Sequence, residues 1–305
     1  MEGDGAPRGD TRAIVKAARL TNRSALITGA SRGLGLATAL AFAREGADLW
    51  LVGREGAALV EAAARVAAAR FSLTQTISQH AVDVSDSAAM DAVVHDWLAA
   101  KASVHVLVNN AAVQGPIGEV GATDWHAWRA ALEIDLIAPI RLCHLIAPHM
   151  RAAGRGKIIS VSGGGATAAR PRFSAYATAK CGLVRFSETL AAELAGTGVD
   201  VNTVAPGVMN TRMLDTVLAA GEAAGAEHAK ALSQQQTGGV APERGAELIA
   251  FLASAESDGI TGRLISAVWD AWSDLPSRRD DLNRSDVYTL RRIVPKDRGM
   301  TWGDT

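Results

Sequence analysis

The chain has 305 residues, of which 48% are hydrophobic and 21% charged, so it can bury a large core and is not disordered as a whole. Its 31 Lys and Arg against 32 Asp and Glu give a formal net charge of −1. That balance argues against nucleic acid or an anionic membrane as the main partner, because both need a concentrated basic surface. Two cysteines are too few for a disulfide framework or a four-cysteine zinc site. Without a secretory leader or an apolar run of the ~20 residues that span a bilayer, the expected location is the cytoplasm.

From Ser24 onward, short apolar runs alternate with Ala-rich stretches of helical spacing. The predicted strands cover residues 24–28, 48–52, 76–82, 104–108, 157–161, 199–204 and 263–267. The predicted helices follow the first strand to about Glu45 and then cover residues 55–70, 87–100, 125–151, 174–195 and 243–254. Such alternation is typical of parallel strands joined by helices that lie on both faces of the sheet. It predicts one α/β domain, a Rossmann-type doubly wound parallel sheet of about seven strands.

This prediction divides the chain into three parts. Residues 1–23 are an N-terminal extension that we expect to be partly disordered, and residues 24–270 form the dinucleotide-binding and catalytic domain. Residues 271–305 are a C-terminal tail with apolar positions, which we expect to pack across the sheet edge or at a subunit interface. Within the domain, residues 218–239 are rich in Ala, Gly and Gln and are predicted to be mobile.

A glycine-rich turn, Thr28-Gly-Ala-Ser-Arg-Gly-Leu-Gly35, directly follows the first strand and opens a helix. Small residues let the backbone approach a pyrophosphate, and the helix N-terminus supplies amide donors and a favourable dipole. The turn is therefore predicted to bind a dinucleotide. The predicted contacts in it are Gly29, Ser31, Arg32, Gly33, Leu34 and Gly35.

The end of the second strand, Val52-Gly53-Arg54, indicates which dinucleotide is bound. An NAD site usually has Asp or Glu there to accept a hydrogen bond from the ribose 2′-hydroxyl, and this chain has none at Gly53. Arg54 and Arg32 could instead bind a 2′-phosphate with charge-assisted, bidentate hydrogen bonds. The sequence favours NADP(H), and the alternative is that Arg54 only opens the next helix in solvent.

Further motifs follow the later strands in a fixed order. They are Asp83-Val84 after the third strand, Asn109-Asn-Ala-Ala112 after the fourth, Tyr176-Ala-Thr-Ala-Lys180, and Pro206-Gly207 with Thr211. Together with the glycine turn, they resemble the motifs of the classical short-chain dehydrogenase/reductase family, over about residues 24–267. The resemblance implies that the cofactor contacts also include Asp83, Val84, Asn110, Ala111, Tyr176, Lys180, Pro206, Gly207 and Thr211. It also implies a homodimer or homotetramer built through long helices, and a substrate lid over residues 210–239.

Tyr176 and Lys180 lie four residues apart on a predicted helix and therefore on one face of it. A phenol with an ordinary pKa near 10 is a poor base at neutral pH. A lysine ammonium one turn away, together with an oxidised nicotinamide, favours the phenolate and lowers the pKa of the phenol. The resemblance implies that Lys180 also holds the nicotinamide ribose.

Two positions depart from the family's pattern. Asp135 stands where the family has Asn, and it could offer its carbonyl to a relay water, pair with Lys180, or have no distinct role. The family's serine lies 13 residues before the tyrosine, where this chain has Gly163. Ser162 could serve if the loop carries an extra residue, a backbone amide of the glycine run 163–165 could replace the hydroxyl, or Ser162 could be an ordinary strand-end residue.

The sequence therefore predicts an NADP(H)-dependent oxidoreductase that interconverts a secondary alcohol and a ketone on a polar small molecule, such as a sugar or natural-product intermediate. Its predicted catalytic residues are Tyr176, Lys180, Ser162 and Asp135, without a metal ion, because the seven histidines lack metal-site spacing. Two alternatives stay open: a non-redox epimerase or dehydratase that retains NADP, and a nucleotide-binding subunit without catalysis. Arg170 and Arg172, just ahead of Tyr176, are candidates to meet an anionic or polyhydroxylated substrate or to lie in a solvated loop.

Overall fold

Seven strands form one parallel sheet in the order β3-β2-β1-β4-β5-β6-β7. A computed structural model describes residues 18–100 and 104–302. The strands are β1 (Ser24–Thr28), β2 (Asp48–Gly53), β3 (Ile77–Ala81), β4 (Val106–Asn109), β5 (Gly156–Val161), β6 (Val199–Ala205) and β7 (Arg263–Ser266). All seven predicted strands are present, each within two residues of its predicted bounds. The single doubly wound sheet is confirmed.

Helices connect the strands and cover both faces of the sheet. They are α1 (Gly33–Arg44), α2 (Gly56–Ala68), α3 (Ser87–Ala100), α4 (Trp125–Leu132), α5 (Ala138–Ala152), α6 (Ser174–Glu193), α7 (Arg212–Ala220), α8 (Ala226–Thr237), α9 (Pro242–Ala253) and α10 (Arg279–Asn283). One core cluster joins α1, α2 and α9 to the sheet through residues such as Phe42 and Phe251, and a second joins α3, α5 and α6 through residues such as Trp97 and Ile146. Among the described residues, no helix is long and apolar enough to cross a membrane.

The chain reverses its direction across the sheet between β1 and β4. These two strands are neighbours, with Ile27 opposite Val108, and the connections that leave them go to opposite sides. A crevice therefore opens at their carboxyl ends, which is where open α/β sheets bind ligands.

The helix predicted over residues 125–151 is interrupted in the structure. A single π-helical turn, Glu133–Ile137, separates α4 from α5 and contains Asp135. The sequence provides a reason, because Pro139 near the start of α5 has no N–H to donate to the carbonyl of Asp135, four residues earlier. Such π-helical turns are frequent at functional sites.

The segment predicted to be mobile, residues 218–239, is mostly helical. It contains the end of α7, a 3₁₀ turn (Gly221–Ala224) and α8. Its apolar residues form a small cluster with Leu214 and Phe173, which explains why the hydrophobic pattern along the sequence is weak.

The C-terminal tail packs on the sheet rather than extending from it. Leu275 and Leu282 are buried in the core cluster under α1 and α9. The amide of Leu264 in β7 donates to the carbonyl of Tyr288 over 2.8 Å. The Arg263 guanidinium donates to the carbonyls of Ser285 and Val287 over 3.0 and 2.8 Å. The tail therefore covers the edge strand β7, while its role at a subunit interface stays a prediction. Of the predicted N-terminal extension, residues 1–17 lie outside the described part.

We expect Leu282→Ala to destabilise the whole domain, because the side chain is only 4% exposed and the truncation leaves a cavity in the core. The expected loss in free energy of unfolding is about 2–4 kcal/mol, measured by chemical denaturation. Val287→Ala, in the same tail but 50% exposed, is the matched control and should cost less than about 0.5 kcal/mol. Equal effects of the two substitutions would show that the tail adds nothing to the core.

Candidate active site

A cavity of about 580 Å³ opens at the carboxyl edge of the sheet, at the crevice between β1 and β4. The predicted cofactor contacts line it with one exception, Gly35, which is packed behind the wall. Of the predicted catalytic residues, Tyr176, Lys180 and Ser162 line the cavity, and Asp135 lies fully buried behind it. Thus the structure brings nearly all the predicted site residues to one cavity.

The glycine-rich turn requires glycine at two positions. Gly29 has φ +66°, a conformation that L side chains rarely adopt. A Cβ on Gly35 would lie 2.2 Å from the carbonyl oxygen of Gly29, so no other residue fits there. Arg32 precedes α1 and makes no side-chain cap, which leaves the first amides of the helix to the cavity. This arrangement fits a dinucleotide pyrophosphate, which those amides and the helix dipole would hold.

The turn is held in place from the neighbouring strand. The Asn110 side-chain amide donates to the carbonyls of Thr28 and Gly29 over 2.9 and 3.2 Å. The Thr28 hydroxyl in turn accepts from the amides of Asn110 and Ala111 over 3.0 and 3.1 Å. Asn110 therefore fixes the shape of the turn, besides lining the cavity.

Both candidate 2′-phosphate ligands lie at the far end of the cavity, each beside a carboxylate. Arg32 lies 2.5 Å from Glu55, which also accepts from Arg212 over 2.6 Å. The hydrogen bonds from Arg212 and Arg32 hold the pKa of Glu55 below its ordinary value. Arg54 lies 3.6 Å from Asp83. Sequence reasoning missed Glu55, which directly follows Arg54 and orients the cationic end of the cavity.

Tyr176 and Lys180 project from one face of α6, with the Lys180 Nζ 5.6 Å from the centre of the phenol ring. Both side chains are buried, and Lys180 donates to the carbonyl of Val161 over 3.1 Å. Burial raises the pKa of the Tyr176 phenol, because the charged form loses its solvation, and the negative charge of Asp135 raises it further. Arg170 opposes this shift. The phenol is thus in its protonated form at neutral pH in the chain alone.

Asp135 is buried against the lysine. Its Oδ1 accepts from the Val113 amide over 2.8 Å, and its Oδ2 lies 3.6 Å from Lys180 Nζ. Oδ2 is buried without a hydrogen-bond partner among the described residues. Burial raises the pKa of Asp135, although Lys180 and the Val113 amide favour the carboxylate. Of the alternatives left open by the sequence, pairing with Lys180 is the one for which the geometry provides a contact.

Gly163 lies against the phenol, and the Ser162 hydroxyl makes no hydrogen bond to it. A Cβ on Gly163 would lie 2.1 Å from Tyr176 Oη, so the hydroxyl occupies the space that a side chain at 163 would fill. The Ser162 hydroxyl is buried and has no hydrogen-bond partner among the described residues. Its assignment as carbonyl-polarising donor stays a prediction.

The described residues contain no group of three His, Cys, Asp or Glu side chains that could hold a metal ion.

A family model described as short chain dehydrogenase matches residues 23–222. The chain belongs to this family. It is 36% identical over 249 residues to the cis-4-hydroxycyclohexanecarboxylate dehydrogenase of Sinomonas cyclohexanicum, a match that covers 80% of this chain and 94% of the relative.

Solved structures of the family share the fold. A putative NAD(P)-dependent gluconate 5-dehydrogenase from Beutenbergia cavernae, with bound NADP at low occupancy, has a TM-score of 0.72 at 28% identity and covers 82% of this chain and 97% of its own. An NAD+-bound xylitol dehydrogenase has a TM-score of 0.74 at 23% identity, over 81% of this chain and 98% of its own, which shows the fold alone. Because one relative holds NADP and the other NAD+, the cofactor of this short-chain dehydrogenase has to be argued from its own residues.

The sequence of this short-chain dehydrogenase predicts a substrate lid over residues 210–239, but the lining residues within it, and Gln114, were not identified individually. Glu227, Lys230, Ala231 and Gln234 line the cavity from α8, at helical spacing, and Gln114 lines it from the segment after β4. The spacing along α8 is a signal that sequence reasoning could have used, had that segment not been interpreted as mobile. Gln114 carries no local signal, because its position depends on the whole fold.

We expect Gly163→Ala to lower kcat, because its Cβ would displace the Tyr176 hydroxyl by roughly 1 Å from its place, and a displacement of that size can cost about 10²-fold. Gly163→Ser restores the family's residue but carries the same Cβ, so it should be no more active than Gly163→Ala. The measurement is kcat from steady-state kinetics for the wild type, Gly163→Ala and Gly163→Ser.

Gly164→Ala is the control, since its Cβ would come no closer than 3.9 Å to its nearest neighbour. A Gly163→Ser variant faster than the wild type would mean that the missing hydroxyl limits the rate, against this expectation.

Proposed function

We propose that this short-chain dehydrogenase is an NADP(H)-dependent oxidoreductase that interconverts a secondary alcohol and a ketone on a polar small molecule. The observation that carries the proposal is that the phenol and ammonium of Tyr176 and Lys180 line the same cavity as the glycine-rich turn. A bound nicotinamide dinucleotide would supply the hydride acceptor or donor. The chain supplies the proton chemistry and excludes water around it.

Tyr176 takes the hydroxyl proton of the alcohol, or returns it to the ketone, as general base or acid. A raised pKa suits the acid role in ketone reduction, because the phenol holds its proton until the substrate oxygen becomes negative. Lys180, held by Val161 and Asp135, lies beside the ring, and its position supports a contact with the ribose of the cofactor. Asp135 is proposed as the residue that orients Lys180.

The preference for NADP(H) rests on charge. Arg32 and Arg54 line the cavity at the end where β2 stops, and no carboxylate stands at Gly53. Guanidinium groups bind phosphate with bidentate, charge-assisted hydrogen bonds. Glu55 and Asp83 hold the two side chains in the free protein and so reduce the conformational entropy lost on binding.

The polar character of the substrate is supported by the lining of the cavity on the side of Tyr176. Gln114, Arg170 and Lys230 line that side. The Sinomonas relative is named for a ring alcohol that carries a carboxylate. We therefore propose that substrates be sought among sugars, alicyclic ketones and oxo acids, including 4-oxocyclohexanecarboxylate.

Assembly as a homodimer or homotetramer, and location in the cytoplasm, are proposed with the function. Two exposed apolar side chains, Trp125 on α4 and Ile137 on the π-helical turn, support assembly through this part of the surface. The molar mass in solution, measured by light scattering, tests the oligomeric state directly.

A non-redox epimerase or dehydratase that retains NADP is the second candidate, and Gly163 and Asp135 are the observations that favour it, because both depart from the family's pattern. It differs in one measurable respect, since substrate would be converted without net consumption of NADPH. A nucleotide-binding subunit without catalysis is less well supported, because mere binding does not require the buried phenol of Tyr176 beside Lys180.

We expect Tyr176→Phe to lower kcat for ketone reduction by about 10³-fold, because the proton donor is lost. The dissociation constant for NADPH should stay nearly unchanged, since the ring and the cavity remain. Loss of NADPH absorbance and quenching of protein fluorescence measure the two quantities. Unchanged turnover in the variant would refute the proposed role of Tyr176.

We expect the double substitution Arg32→Gln with Arg54→Gln to weaken NADPH binding by at least about 100-fold, because each charged hydrogen bond contributes about 1.5–3 kcal/mol and two are lost. Binding of NADH, which has no 2′-phosphate, should change little. Arg44→Gln, an exposed arginine in the last turn of α1, is the control for net charge. Tighter binding of NADH than of NADPH by the wild type would overturn the cofactor assignment.

A further inference from the structure

Two opposite charges lie near Tyr176, and one of them, Asp135, stands at a position where this chain departs from the family's pattern. Asp135 places a buried carboxylate behind Lys180, with its Oδ2 3.6 Å from the ammonium. On another side of the phenol, Arg170 places its guanidinium carbon 5.5 Å from the ring centre. The side without a serine hydroxyl has gained a cation, and the side without an asparagine amide has gained an anion.

The buried pair weakens what Lys180 can do for the phenol. Both side chains are almost fully buried, with exposures of 2% and 0%, so solvent screens them little. A carboxylate this close cancels much of the field of the ammonium at neighbouring atoms. The negative charge of Asp135 also acts on Tyr176 itself and raises the pKa of the phenol, after the larger effect of burial. A second positive charge from the protein beside the phenol would favour the role of Tyr176 as a base as well as an acid.

Arg170 lies beside the run of glycines. A Cβ on Gly164 would make only an ordinary contact with Arg170 Cδ at 3.9 Å, and a Cβ on Gly165 would lie 3.3 Å from Arg170 Cβ and closer still, 2.7 Å, to Ala177 Cβ. The guanidinium packs over the ring of Phe173, 3.9 Å from its centre, and the side chain is only 16% exposed.

Arg170 is oriented, and part of it is free. Its Nε donates to Glu227 over 3.1 Å and its Nη1 to Gln114 over 3.3 Å. Nη2 has no hydrogen-bond partner within residues 18–100 and 104–302, although Arg170 lines the cavity. A guanidinium carries five N–H donors in a rigid plane, so fixing two of its nitrogens also fixes the third.

We propose that Arg170 is a catalytic residue that replaces the serine: its Nη2 donates to the substrate oxygen, and its charge offsets that of Asp135 at Tyr176. This proposal rests on the proposed function, because the oxygen is that of the alcohol or ketone. Negative charge develops on this oxygen when the carbonyl is reduced, and a fixed cation there stabilises it. Glu227 and Gln114 are positioning residues for the guanidinium.

The charged groups that face Tyr176 come from four elements. Lys180 lies on its own helix α6, Asp135 on the π-helical turn, Arg170 on the loop after β5, and Glu227 with Lys230 on α8. Glu227 is bound by both Arg170 and Lys230, at 3.1 and 2.8 Å, so its own charge is well compensated. Arg170 and Asp135 are thus the two groups whose removal should move the ionisation of Tyr176 in opposite directions.

The first test reads the phenol directly and needs no turnover. The protein has only two tyrosines, so Tyr288→Phe leaves Tyr176 as the sole source of phenolate absorbance. With NADP+ bound, the phenolate is titrated over the alkaline range in which circular dichroism shows a folded protein. The Tyr288→Phe protein is the parent for the further substitutions. At a given pH we expect the phenolate fraction of Asp135→Asn to be higher than that of the parent, because a negative charge is removed. The fraction should be lower than the parent's in Arg170→Lys and lowest in Arg170→Gln, which loses the positive charge.

Arg172→Gln is the matched control, two residues from Arg170 but bound to the exposed Glu119 over 3.1 Å and absent from the cavity lining. It should titrate as the parent does. The proposal is overturned if Arg170→Gln superimposes on the parent, or if Arg172→Gln shifts the titration equally. Thermal unfolding and the NADPH dissociation constant establish for each variant that the domain and the cofactor site are intact.

The second test uses turnover and separates this proposal from the proposed function. Arg170→Gln should lower kcat for ketone reduction by about 10²–10³-fold, as loss of one oxyanion donor does, and should move the rise of alcohol oxidation to higher pH. Adding Asp135→Asn should return the pH profile toward that of the parent without restoring the rate.

If the parent reduces ketones and Arg170→Gln keeps its kcat and profile, Arg170 has no such role and the proposed function stands. If the parent turns over no ketone or alcohol, the proposed function fails, and so does the role of Arg170 as a donor to the substrate oxygen. If the expected order of phenolate fractions holds in that case, the opposing effects of Arg170 and Asp135 on Tyr176 are still supported.

Discussion

The hydrogen bonds between the carboxyl ends of β1 and β4 are the constraint on which the site depends. Thr28 ends one strand and Asn110 follows the other, and each binds the backbone of its partner, at 2.9–3.2 Å. Because the sheet order reverses between these strands, the chain departs to both sides and leaves a crevice at their carboxyl ends. The same bonds set the carbonyls of Thr28 and Gly29, against which α1 begins. The shape of the glycine-rich turn and the cavity beside it both depend on these hydrogen bonds between the two strand ends.

The phenol at the other end of the cavity is governed by burial rather than by one neighbour. A buried tyrosine keeps its proton, and a base in that position requires positive charge close to it. In this chain Lys180, on the same helix, is paired with the buried carboxylate of Asp135. That negative charge offsets part of the electrostatic effect of the ammonium on the phenol. Proton transfer at Tyr176 is therefore set by the balance of several charges, and those charges come from segments far apart in the sequence.

Much of the fold could be predicted from the sequence, because strands buried on both faces are short apolar runs whose limits are sharp. β1 has the bounds that its pattern predicts, and the glycine turn after it was placed correctly. The helix over residues 125–151 was wrong in its middle, since one extra residue in a π-helical turn barely changes a helical pattern. Pro139 was the available signal. Helix α8 was missed because it buries little, only Ala231 fully.

The contacts between distant segments of the chain are the part of the site that could not be predicted from the sequence. Helical spacing alone places Tyr176 and Lys180 side by side, and Arg54 directly follows the end of a strand. The positions of these three residues at the cavity could therefore be predicted from the sequence. Arg170 and Glu227 are 57 residues apart and meet only because α8 folds over the cavity. Likewise, Glu55 and Arg212 are 157 residues apart. The ion pairs that orient the arginines at both ends of the cavity require the tertiary structure.

Both ends of the cavity use the same physical device, an arginine held by a carboxylate from another segment. A free arginine side chain loses about 2 kcal/mol of rotamer entropy when a ligand fixes it. Glu55 for Arg32 and Glu227 for Arg170 impose that order before any ligand arrives, at the cost of competing for the same N–H donors. The guanidinium resolves this competition, because its five donors allow one edge to bind the carboxylate while another stays free. A lysine at either place would have its three donors on one nitrogen, without the two separate edges of the guanidinium plane.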